Sequence, residues 1–209
     1  MSEDKNQMSE VVVGHIRAPK FAQIEIGNIP VKILNVPYIE QPPQMLCFPY
    51  SVSMVIDYFR RTENIGVPNL SPADLVSILN TDPERGTVLS NATLKKLNEY
   101  TAPIEFARYR GGISKLDECF EDKIPPILIF NAMYYFVSEE GPAHATVYLG
   151  RTDTKIITNN PWMGMYYPYD LEKFLEAWEI ENYEIVIPRI RKIEETKLNN
   201  FLSTDEEVD

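Results

Sequence analysis

Two of the residue types that carry most protein chemistry are scarce in this chain. Its 209 residues include two cysteines, Cys47 and Cys119, and two histidines, His15 and His144. That is too little cysteine for a disulfide framework, and too little of either type for a zinc site of cysteine and histidine ligands. No metal and no organic cofactor is expected. Positive charge is short as well: 20 Lys and Arg stand against 31 Asp and Glu, a net charge of −11. Such a surface repels phosphate backbones and anionic lipid, which argues against nucleic acid as a partner. No apolar run approaches the ~20 residues needed to span a bilayer, so no membrane insertion is expected. The opening "MSEDKNQMSE" is polar and acidic, where a signal peptide would be basic and then apolar. A cytoplasmic chain with both thiols reduced is the expectation.

What the chain does hold is enough apolar mass, 44% hydrophobic and 11% aromatic, to bury one core. The organisation expected is a disordered leader over 1–10, a single domain over 11–193 and an acidic disordered tail over 194–209. "VKILNVPYI" (31–39) is β-branched and reads as a strand entering the "QPPQ" turn. From about Leu46 to Arg61, Val52, Val55, Ile56 and Phe59 recur at helical spacing, and Pro49 sits where only a first turn tolerates it. "LSPADLVSILN" (70–80) begins with a serine cap and a proline, and "SNATLKKLNEY" (90–100) reads as a further helix. "PIEFARY" (103–109) reads as a strand and "ISKLDECFE" (113–121) as a short helix. Beyond them "PPILIFNAMYYFV" (125–137), "HATVYLGRT" (144–152), "KIITNN" (155–160) and "NYEIVIP" (182–188) read as strands, interrupted by the helix "DLEKFLEAWEI" (170–180). "WMGMYYPY" (162–169) reads as an aromatic loop able to cover a cleft. The class is α+β, with a helical first half packed on an antiparallel second half and a cleft between them.

The stretch "EQPPQMLCFPYSVSMVIDYFRR" (40–61) places Cys47 where the helix begins. A thiol there meets unpaired backbone N–H groups that favour its anion, yet free cysteine is also a common inert core residue. His144 opens a strand after the turn "SEEGPA", where a base can face a cleft. His15 reads as a surface residue. Asn160 ends the next strand, and the short turn "RTDTK" between the two strands brings it beside His144. An amide oxygen there would accept the imidazole N–H and fix its tautomer, although "NNP" by itself reads first as a simple turn. Gln41 and Gln44, just before Cys47, are candidate donors to a developing oxyanion, or else exposed loop residues. Cys119 lies among Asp117, Glu118, Glu121 and Asp122, whose charges disfavour a thiolate, and it reads as structural.

Taken in order, Val36-Pro37-Tyr38, Gln41, Cys47, Met54, Tyr58, Pro126, His144-Ala145-Thr146-Val147, Gly150 and Asn160-Pro161 resemble the papain-like cysteine peptidases. Within them they are most similar to the double-glycine (bacteriocin-processing) peptidase-like branch, over roughly residues 31–188. The resemblance implies a papain-like two-lobed fold, the N-terminal helical lobe carrying the cysteine helix against a C-terminal antiparallel sheet. It also implies a hydrolase of peptide or protein substrates. Cys47 would be the nucleophile, His144 the base and acid, Asn160 the orienting residue and Gln41 the oxyanion donor. Two positions depart from the pattern. Phe48 replaces the usual glycine after the cysteine, and either narrows access to the sulfur or forms a substrate wall. Asn160 replaces the usual aspartate, with Trp162 placed to shield its bond to His144. Phe48, Trp162 and Gln44 are therefore candidate cleft residues. An acyltransferase or amidase on the same fold, or an inactive peptide-binding module, remains an alternative.

Overall fold

The computed structural model describes residues 17–191; His15 and the segments 1–10 and 194–209 lie outside them. In chain order the elements are β1 (Phe21–Ile26), β2 (Ile29–Leu34), α1 (Cys47–Thr62), α2 (Pro72–Leu79), α3 (Asn91–Thr101) and β3 (Ile104–Arg110). There follow α4 (Ile113–Glu121), β4 (Ile127–Asn131), α5 (Ala132–Val137), β5 (Ala143–Arg151), β6 (Lys155–Asn160), β7 (Gly164–Asp170), α6 (Leu171–Ile180) and β8 (Glu184–Ile190). Six strands form one antiparallel sheet in the order β3-β8-β4-β5-β6-β7, and β1 and β2 form a separate hairpin. The α+β expectation holds, and the arrangement has helices on both faces of the sheet.

The strand sequences explain that double covering. Every residue of β4, "ILIFN", is buried, as expected of a strand with no wet face. Ile127, Ile129, Ala145, Val147, Leu149 and Ile157 turn to one face, where they pack with Val52, Val55, Ile56 and Phe59 of α1 and Ile33 of β2. Leu128, Phe130, Tyr148, Ile156, Ile185 and Ile187 turn to the other, against Leu116 of α4 and Phe174 and Trp178 of α6. Each such side chain stabilises the fold by about 1.5–3 kcal/mol of buried apolar surface. Helix α1 is enclosed on nearly all sides: eleven of its sixteen residues are buried. The β2 hairpin strand lies so close over β5 that a Cβ at Gly150 would stand 3.1 Å from the Lys32 carbonyl oxygen.

Three segments differ from the sequence reading. The extended run after β2 leaves the hairpin at Leu34, and residues 35–46 form no regular element. The run 125–137 is a strand only to Asn131. The Asn131 side chain then accepts the Tyr134 N–H and starts α5, so one capping residue overrides an apolar and aromatic composition that favours a strand. The segment read as an aromatic loop contains β7, with Pro168 at the open edge of the sheet, where a missing N–H costs least. No helix among the described residues is long and apolar enough to cross a membrane.

Asn159 ties the two halves together. The residue is buried; its Nδ2 donates to the Val36 carbonyl (2.9 Å) in the interior, and its Oδ1 accepts from the N–H of the half-buried Tyr166 (3.2 Å). Replacing it by alanine strands both backbone groups. An Asn159→Ala variant should lose about 2–4 kcal/mol of stability, read as a lowered urea midpoint with an unchanged slope.

Candidate active site

Helix α1 begins at Cys47 without a capping side chain: Leu46 supplies none, and no acidic residue stands in the first turn. The N–H groups of that turn carry the positive end of the helix dipole. The half-buried Cys47 sulfur meets it, accepting from the backbone N–H of Phe48 and, across the lobe boundary, from that of Ala145 on β5. Burial alone pushes this thiol up. The His144 charge and its hydrogen bond, with the two backbone donors, outweigh burial and hold Cys47 below the ordinary thiol range.

His144, the second residue of β5, is buried, and its Nε2 lies 3.0 Å from Asn160 Oδ1 at the end of β6. The same oxygen accepts the backbone N–H groups of Trp162 (2.8 Å) and Met163 (3.0 Å). Two backbone donors converging on one atom identify it as the amide oxygen rather than the nitrogen. His144 Nε2 must therefore carry a proton and donate, which leaves Nδ1 to face the thiol. Burial presses the imidazole toward its neutral form, but the Cys47 charge and bond and the Asn160 bond prevail, raising it above the ordinary histidine range. The contacts of each group thus favour its charged form, the thiol toward thiolate and the ring toward imidazolium. On the far side, Asn160 Nδ2 donates to the hydroxyl of Tyr169, a fully buried residue of β7 whose phenol burial holds neutral. Phe130 meets both rings edge-on, 5.7 Å from His144 and 5.2 Å from Tyr169 between centroids.

Gln41 is buried at the same place. Its N–H donates to the Pro161 carbonyl (2.9 Å), fastening the segment before α1 to the β6–β7 turn. Its Nε2 donates to the Gln44 carbonyl, and its Oε1 has no partner among the described residues. Cys47, His144, Asn160 and Gln41 all border one cavity of about 420 Å³, with Trp162 at its wall. Trp162 is 56% exposed, meets Asn160 through its backbone N–H and borders the cavity. Phe48 corrects the expectation for its side chain: it is only 4% exposed, packs in the α1 core and does not border the cavity. The helix turns it inward, away from the sulfur. Gln44 is exposed and also off the cavity wall, contributing its carbonyl instead. Cys119 is buried under the sheet, its thiol pushed up to about 11, first by burial and then by Asp122 and Glu118 against Lys115. No group of three or more potential metal-binding side chains occurs among the described residues.

Two functional positions escaped the sequence reading. Tyr169 lies in the run whose composition reads as a loop; as a strand, the alternation of β7 turns it inward. Asn131, taken as mid-strand, caps α5 and also holds the next loop through Gly141, donating to its carbonyl (2.8 Å) and accepting its N–H (3.2 Å).

The Peptidase_C39-like family matches residues 33–186, a span that contains all four site residues. A crystal structure of a C39-like peptidase from Bacillus anthracis is similar to the chain with a TM-score of 0.54 at 16% identity, over 76% of this chain and 96% of that one. A double glycine motif protease from an AMS/PCAT transporter, solved with its leader peptide, gives 0.53 at 20% identity, over 74% and 91%. At these identities the likeness is one of fold. No curated protein sequence matches the chain.

The charge pair has a direct readout in iodoacetamide alkylation followed site by site against pH. The Cys47 rate should rise with a midpoint below the ordinary ~8.5 of a thiol, since the rate follows the thiolate fraction. In His144→Ala the midpoint should move up by at least about one unit, lowering the neutral-pH rate roughly tenfold. Tyr169→Phe, which leaves Asn160 Nδ2 without its acceptor, should cost roughly three- to tenfold in the same direction. Cys119 should stay unreactive throughout.

Proposed function

The chain belongs to the Peptidase_C39-like family, and from that premise we propose that it is a cysteine peptidase that hydrolyses peptide bonds with Cys47, His144, Asn160 and Gln41. One observation carries the reading: the contact series from Cys47 through His144 to Asn160 opens onto a cavity large enough for a peptide segment. The inward position of Phe48 supports it further, because the side chain next to the nucleophile is in the core and leaves the cavity open. That the neighbouring double glycine protease holds a leader peptide fits a peptide as substrate here.

In this reading the Cys47 thiolate attacks the scissile carbonyl carbon and forms a tetrahedral intermediate. Negative charge grows on the carbonyl oxygen. Gln41 Nε2 has two hydrogens and gives one to the Gln44 carbonyl, leaving the other for that oxygen beside the Cys47 backbone N–H at the start of α1. His144 gives its Nδ1 proton to the leaving amine as the carbon–nitrogen bond breaks. It then takes a proton from water, and the hydroxide so formed attacks the acyl carbon, releasing a carboxylic acid and restoring the Cys47 thiolate beside protonated His144. Asn160 keeps the ring in the one tautomer and orientation that allows both transfers.

Digestion of a proteome-derived peptide library, with new termini read by mass spectrometry, tests the function. The native chain should generate new carboxyl termini ending in free acids, and Cys47→Ala should generate none. New termini capped by an added amine in place of free acids would make the chain a transferase. Peptides retained without cleavage by both proteins would make it a binding module.

A further inference from the structure

The reacting groups share the cavity with large apolar side chains. These walls are Met45 before α1, Met133 and Phe136 of α5, and Trp162 and Met163 of the β6–β7 turn. Among the described residues, no lysine, arginine, aspartate or glutamate borders the cavity. Phe136, Met133 and Met163 are 47%, 42% and 44% exposed. Large apolar groups left this wet beside a nucleophile gain most from an apolar side chain laid against them. Three of the five walls are methionine, whose flexible thioether conforms to side chains of differing shape.

One of those walls is fixed from behind. Met133 packs directly on Gly141: a Cβ built there would lie 2.7 Å from Met133 Cβ and 2.8 Å from its Sδ. Asn131 clamps Gly141 through both of its backbone groups. The loop that leads into His144 thus backs the Met133 wall and sets how far it stands from the cavity.

We propose that the cleft selects peptides with a bulky apolar side chain (leucine, methionine or phenylalanine) on the residue supplying the attacked carbonyl or on the one before it. Met133, held by Gly141, is the specificity-determining wall. The inference rests on the peptide-hydrolase reading and goes beyond it in naming the substrate. A glycine pair at those two positions presents no side chain, leaves the methionine and aromatic walls in water, and is disfavoured.

Cysteine-directed acyloxymethyl ketones test it: capped tripeptides with Gly, Ala, Leu or Phe at each of the two positions, plus a Gly-Gly member. Modification of Cys47 is followed by intact mass, and each rate is divided by the same protein's iodoacetamide rate. The Leu or Phe probe should react at least about tenfold faster than the Gly probe at one of the two positions. Met133→Glu, or Phe136→Gln should the first variant fail to fold, should bring that ratio within about threefold. Gly141→Ala, which drives Met133 toward the cavity, should lower the Phe rate more than the Leu rate. A flat series, a preference for Gly-Gly, or a ratio unmoved in the wall variants overturns the inference while leaving the nucleophile in place. An ordinary pH profile with iodoacetamide overturns the hydrolase reading, and this one with it.

Discussion

The amide oxygen of Asn160, a buried residue, takes three donors, the His144 ring and the N–H groups of Trp162 and Met163. The turn that follows β6 is folded around that oxygen, so the atom that orients the imidazole is also the atom that closes the turn. Gln41 is bound to Pro161 in the same turn. Strand β7 returns from it to place the Tyr169 hydroxyl under the other end of the amide. An aspartate would satisfy the same donors, but would set a second negative charge near the thiolate. The asparagine orients without adding charge.

Cys47 and His144 are each exposed to two opposed effects, and the balance decides their state. Desolvation disfavours charge on either alone. Side by side they favour charge on both, and the backbone N–H groups of Phe48 and Ala145 strengthen the anion. Cys119 shows the other outcome: with burial and acidic neighbours but no imidazole, its thiol is pushed up. Two cysteines in one chain thus differ in chemistry through their surroundings alone.

Much of this was legible in sequence, and the misses share a cause. The α1 periodicity, the serine and proline opening α2 and the alternation of β5 and β6 are local signals, and their consequences are local. Short spacing between His144 and Asn160 carried the meeting of β5 and β6, because antiparallel neighbours joined by a tight turn leave little choice of register. Phe48 was misplaced because nothing in one sequence tells which way the first turn of a helix points until its burial is known. Strand β7 and helix α5 were misread because both are aromatic-rich. One is made a strand by pairing with β6, and the other a helix by the Asn131 cap. Tyr169 could be valued only once β7 was known to be a strand.

Enclosure of α1 on nearly all sides means that the sulfur is located by the core, whereas the cleft walls facing it come from a six-residue helix, a turn and the segment before α1. These two sets of residues answer to different pressures. Changing the enclosed helix disturbs the whole molecule. Changing Met133, Phe136, Trp162 or Met163 alters exposed side chains at the rim. Such a division leaves the walls of the cleft free to vary, while the helix that holds the sulfur is anchored by everything around it.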